Sequence, residues 1–163
     1  MPKILAIDPG PEQSAFVLWD GSRVIHKDIL PNDMLIGFLW EFAHEGECDI
    51  LAIEMIACFG MAVGRETFET CVWIGRFMQM WLEGSDRQES SILRIPRGDI
   101  KMHLCRSMRA KDANVRQALI DRFGAPGTKK APGALYGVTS HCWAALALAV
   151  CAFDRLKVEE AAA

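Results

Sequence analysis

Nowhere does the sequence carry an apolar run approaching the about 20 residues that a membrane span needs. The longest candidate, 142–153, is too short and is rich in alanine. No signal peptide is expected: Met1-Pro2-Lys3 leads straight into Ile4-Leu5-Ala6-Ile7, and Asp8 cuts that run short. The six cysteines, at 48, 58, 71, 105, 142 and 151, form no C-x-x-C pair. His141-Cys142 has no matching second pair, so the cysteines read as reduced, mostly buried thiols rather than zinc ligands. No Gly-rich phosphate loop is present, which counts against a nucleotide-binding protein. Neither an internal repeat nor a domain linker is found. The expectation is one soluble, cytoplasmic domain spanning 1–163 and free of membrane contact.

What is present is a hydrophobic content of 51%, too high for a disordered chain and sufficient for a core without staples. The net charge of −3 argues by itself against a polyanion ligand. Its distribution argues otherwise. Between Arg94 and Lys130 there are ten basic residues and three acidic ones, a net of +7 that leaves −10 on the rest. Such asymmetry fits a local polyanion-binding surface on an acidic body, and equally a solvated helical face.

Period and punctuation place the elements. Residues 3–8 are a short apolar run stopped by Asp8-Pro9-Gly10, read as a buried strand ending at a turn. Residues 14–19 and 23–30 are two further strands around an Asp20-Gly21 hairpin signal, so the first three form an antiparallel meander. Asn32 or Asp33 is expected to cap a helix to about His44, with Leu35, Phe38, Leu39 and Phe42 on one stripe. A strand at 49–54 ends in Glu54. A loop at 55–64 leads to a long helix over 65–83, then to a strand at 91–95 and helices at about 97–107 and 112–123. The Gly-, Pro- and Lys-rich stretch 124–137 reads as loop. A last helix covers about 140–158, with a frayed tail. The order βββαβαβααα predicts an α/β fold. Its five-stranded mixed sheet has an antiparallel meander of strands 1–3 and parallel strands 4–5, and is flanked by helices.

Asp8 and Glu54 each end an apolar strand. If those strands are adjacent and parallel, both carboxylates emerge at one sheet edge, where functional groups collect. Two such carboxylates repel unless a cation lies between them, and Mg²⁺ takes hard oxygen ligands of this kind. Each also has a bland role: Asp in a turn satisfies backbone N–H groups, and a strand-ending Glu is often solvated. His141, after Thr139-Ser140, stands at the head of the last helix, where an imidazole can ligate a metal, take a proton from water, or merely cap.

Ile4-Leu5-Ala6-Ile7-Asp8-Pro9-Gly10 resembles the first motif of RuvC-type Holliday junction resolvases, and Ala52-Ile53-Glu54-Met55 resembles their second. Gly75-Arg76 is similar to the glycine-bearing helix behind that site. Ile100-Lys101, with Met108-Arg109-Ala110-Lys111-Asp112-Ala113-Asn114-Val115-Arg116, is similar to the basic segment before the last helix. Ser140-His141-Cys142-Trp143-Ala144-Ala145-Leu146-Ala147-Leu148-Ala149 resembles the closing helix. The ordered set spans nearly the whole chain.

The resemblance implies an RNase H-like fold and a Mg²⁺-dependent endodeoxyribonuclease, with Mn²⁺ as a substitute. It also implies a homodimer and branched DNA, chiefly four-way junctions, as substrate in recombination or repair. It fits a phage or prophage setting, with the cytoplasm of a bacterial or infected host cell as the location. Of four metal positions, Asp8, Glu54 and His141 match three; the fourth is Ala144, a departure that leaves open a branched-DNA-binding module without catalysis. Lys101 aligns with a lysine near the scissile phosphate, where it would stabilise charge; the second such lysine falls on Asp112, with Lys111 adjacent. Arg76, Arg109, Lys111, Arg116, Lys129 and Lys130 are candidate DNA contacts. Phe59 and Met61, in the loop near the implied junction centre, are candidate wedges, or else buried against a dimer partner or the core.

Overall fold

A computed structural model describes residues 2–57, 60, 62–84 and 86–162. The strands are β1 (Ile4–Asp8), β2 (Gln13–Trp19), β3 (Val24–Pro31), β4 (Ile50–Met55) and β5 (Ile92–Pro96). They form one sheet in the order β3-β2-β1-β4-β5. β1 pairs antiparallel with β2, and β2 with β3, while β1–β4 and β4–β5 are parallel. The expected mixed sheet is therefore present. The helices are α1 (Asn32–His44), α2 (Arg65–Glu83), α3 (Arg97–Cys105), α4 (Asp112–Phe123) and α5 (Cys142–Ala162).

The two-residue period of the strands sorts the core into two layers. Leu5, Ile7, Phe16, Leu18, Leu51 and Ile53 pack with Leu35 and Leu39 of α1 and with Ile74, Phe77 and Trp81 of α2. Ile4, Ala6, Val17, Ala52 and Ile95 pack on the opposite face with α5, Ile100 of α3, and Val115 and Leu119 of α4. Helix α5 is buried almost all round from Cys142 to Phe153, because the sheet covers one side and α3 and α4 another. Its alanines at 145, 147, 149 and 152 let it lie close to the strands. Its apolar run is thus a central core helix, and no described helix is long and apolar enough to cross a membrane.

Three expectations change in detail. The stretch 124–137 is not all loop: β6 (Gly127–Thr128) and β7 (Ala131–Pro132) pair as a small hairpin with Lys129 and Lys130 at its tip. The last helix begins at Cys142 and stays helical to Ala162, consistent with the helix-forming glutamates and alanines of its tail. Asn32 does not cap α1 from outside. It is the first residue of the helix, and its side chain is buried against the β1–β2 turn. The five described cysteines are free, and burial pushes the Cys48 thiol up to about 12.

Candidate metal centre and its basic surround

β1 and β4 run in register from Ile4↔Ile50 to Ile7↔Ile53, so one further step sets Asp8 beside Glu54. Both share the strand parity of Ala6 and Ala52 and face the α5 side of the sheet. The turn after Asp8 is fixed by a buried polar ring. The Gly10 N–H donates to Ser14 Oγ (3.2 Å), the Ser14 hydroxyl donates to Asn32 Oδ1 (2.6 Å), and Asn32 Nδ2 donates to the Gly10 carbonyl (2.9 Å). Gly10 has no room for a side chain: a Cβ there would lie 2.5 Å from the Gln13 carbonyl oxygen.

His141 sits in the turn that launches α5. Ser140 holds a left-handed φ of 45°, and the Cys142 N–H donates to the Thr139 carbonyl. This geometry brings His141 Nδ1 to 3.5 Å from Asp8 Oδ2, with the imidazole otherwise exposed. Ala144 lies three residues on, and both line one cavity of about 220 Å³. The cavity combines an apolar wall, including Ile100, Val115 and Trp143, with the charged side chains of Lys101 and Arg116.

The sequence reading missed Arg97. β5 lies beside β4 in parallel, Met55 opposite Pro96, and the chain turns directly into α3. Arg97 Nη1 thereby reaches Glu54 Oε1 and Oε2 at 3.1 and 3.3 Å, while Nη2 reaches Asp112 Oδ1 at 2.9 Å. Lys101 Nζ is 3.6 Å from the same Asp112 oxygen. The sequence offered only the position of Arg97 after a third strand end, not its pairing with Glu54, which depends on β5 lying beside β4. The buried partners Ser14 and Asn32 left no comparable trace.

Burial raises the Asp8 carboxyl above its ordinary range, although Arg97 and His141 pull it back. Glu54 is raised first by burial and then by the Asp8 charge, against the pull of Arg97. For Asp112 burial acts upward, but the Arg97 and Lys101 contacts outweigh it and the carboxyl ends below its usual value. The two strand-end carboxylates are thus desolvated and mutually repelling, and the pull of Arg97 only partly offsets both effects; a divalent cation relieves such an environment further.

Asp8 and Glu54 are hard oxygen donors of the kind that Mg²⁺ and Mn²⁺ take, whereas the His141 imidazole is a softer donor. As the side chains stand, no three His, Cys, Asp or Glu groups among the described residues are gathered tightly enough to hold an ion. Both Glu54 oxygens are engaged by Arg97.

The whole-chain architecture has a clear counterpart among solved structures. A Thermus thermophilus RuvC structure superposes with a TM-score of 0.70 at 16% identity, covering 96% of this chain and 96% of that one. T. thermophilus RuvC in complex with Holliday junction substrate gives the same score and identity, over 96% and 97%. This chain has a RuvC-like fold. No family model matches the chain, and no curated protein matches it by sequence.

On this RuvC-like fold the predicted DNA contacts divide. Arg109 and Lys111 are exposed in the connection between α3 and α4. Arg116 stacks over the Trp143 ring at 4.8 Å, at the cavity beside the carboxylates. Lys129 and Lys130 are exposed on the β6–β7 hairpin. Arg76 belongs to α2, which packs on the sheet face away from Asp8 and Glu54, and it stacks on Trp73 of its own helix at 4.1 Å. Phe59 and Met61 lie outside the described residues. On α2, Phe77 and Trp81 are core, whereas Phe68 and Val72 are exposed.

Proposed function

We propose that this chain is a divalent-metal-dependent endonuclease for branched DNA, four-way junctions above all, acting as a homodimer. The observation that carries the reading is the paired, desolvated Asp8 and Glu54 at the ends of adjacent parallel strands, with His141 against Asp8, on a RuvC-like fold. The solved T. thermophilus RuvC complex with Holliday junction substrate supports the substrate class.

Asp8, Glu54 and His141 would hold the Mg²⁺, with Mn²⁺ as a substitute. A bound cation supplies a more acidic attacking water and charge relief at the phosphate. His141 presents an exposed ring whose Nδ1 faces Asp8, which leaves Nε2 either to complete the metal's ligand set or, with Asp8 and Glu54 alone holding the ion, to take a proton from water. Lys101 lies on the same cavity as Glu54 and adds positive charge where the phosphate becomes more negative in the transition state. Arg109, Lys111, Arg116, Lys129 and Lys130 bind backbone phosphates, which give affinity without sequence choice. The exposed Phe68 and Val72 of α2 supply the apolar face for a second copy.

Ala144 and the Arg97–Glu54 pair favour one alternative, junction binding without cleavage. An end-labelled four-way junction separates the two. The nuclease reading expects nicks near the branch in Mg²⁺ or Mn²⁺, none in EDTA, and an intact linear duplex of the same sequence. Binding without nicks at any metal level establishes the alternative. Absence of both binding and nicks refutes both.

A further inference from the structure

One guanidinium joins two carboxylates of very different character. Glu54 has a side chain only 13% exposed, whereas that of Asp112 is 72% exposed. Arg97 spans them with separate nitrogens, Nη1 on Glu54 and Nη2 on Asp112. It can therefore release one partner while keeping the other. Its own side chain is 40% exposed and keeps Asp112, so the guanidinium is not stranded on leaving, and the incoming ion takes over the buried Glu54 charge. Arg97 Nη1 contacts both Glu54 oxygens, and a divalent ion coordinated to either of them would stand within a few ångströms of the guanidinium, where the two positive charges repel in a partly desolvated site.

Charge counting sets the direction. Asp8, Glu54 and Asp112 stand against Arg97 and Lys101, a net of −1 with His141 neutral. Ala144 contributes nothing, although it lines the same cavity one helical turn beyond His141. The residues thus hold a nearly balanced cluster in which Arg97 already occupies the place of a cation.

We propose that Arg97 is the resident counter-ion of Glu54, that Asp112 is the carboxylate to which it withdraws, and that divalent-cation uptake here exchanges a guanidinium for a metal ion at Glu54. This deepens the nuclease reading and rests on it for the nature of the incoming ion. Removing Arg97 frees Glu54 and takes the cluster to −2. Removing the charge of Asp112 takes it to zero and leaves Arg97 only Glu54 to pair with. The two changes act on metal affinity in opposite senses, although both delete one partner of the same bridge.

The test is a Mn²⁺ titration of the full-length protein by electron paramagnetic resonance, with melting temperature as the check on folding. Arg97→Gln is expected to tighten Mn²⁺ binding by about tenfold or more, the effect of deleting a nearby opposing charge from a partly desolvated site. Asp112→Asn is expected to weaken it severalfold, and Arg97→Lys to stay nearer the parent than Arg97→Gln. Glu54→Gln, added to Arg97→Gln, should cancel the gain. If Asp8→Asn and Glu54→Gln lose Mn²⁺ while Arg97→Gln binds no tighter than the parent, the exchange is wrong and the nuclease site survives. If Asp8→Asn and Glu54→Gln bind as the parent does, or neither the parent nor Arg97→Gln binds Mn²⁺, both readings fall.

Discussion

Asp8→Asn is expected to cut junction cleavage by about 10³-fold or more, leave junction binding intact, and raise the melting temperature at neutral pH. On the proposed function, the cleavage loss follows from removing a charged ligand of the proposed metal, a change worth several kcal/mol of transition-state stabilisation, each 1.36 kcal/mol being tenfold in rate. Binding survives because asparagine keeps the shape and removes a charge that repels phosphate. The stability gain has a definite sign. Burial raises the carboxyl of folded Asp8 above its value in the unfolded chain. Above that raised value the ionised group opposes folding; below about pH 4 it is protonated in both states and the cost is gone. Asparagine should therefore raise the melting temperature at pH 7 and leave it unchanged in acid. Thermal melts at pH 7 and pH 3, run beside the cleavage assay, check both halves. A variant that cleaves like the parent, or melts no higher at pH 7, contradicts the role given to Asp8.

Replacing Arg109, Arg116, Lys129 and Lys130 together by alanine is expected to weaken junction binding by about 10²-fold or more at moderate salt, through lost phosphate neutralisation. All four are exposed, three of them on the α3–α4 connection and the β6–β7 hairpin and the fourth over Trp143. Each lost phosphate contact removes about 0.9 from the slope of log affinity against log salt, so four flatten it by about 3.6. Anisotropy titrations on a labelled junction across a salt series measure the slope. An unchanged slope in a folded variant would place the DNA elsewhere on the protein.

The sheet was legible because its strands are short apolar runs stopped by recognisable turns. Asp8 and Glu54 stood out because each closes such a run. Adjacent, parallel pairing of strands one and four was a condition that the strand order allowed without singling out, and the register through Ile7↔Ile53 meets it. The Arg97–Glu54 pair was not legible, because it joins residues 43 apart through the neighbouring strand β5, and a count of charges along the chain does not contain it. Asn32 read as a cap because asparagine commonly caps helices. Its actual partners, Ser14 and Gly10, lie 18 and 22 residues away and are set by the sheet. The β6–β7 hairpin escaped because two-residue strands leave no periodicity to read.

The most direct test is anomalous diffraction from crystals of the protein soaked in Mn²⁺, with data collected at the manganese edge. A peak between the side chains of Asp8, Glu54 and His141, accompanied by rotation of Arg97 toward Asp112, is the predicted result. Manganese bound elsewhere, with those three side chains unengaged, would contradict it.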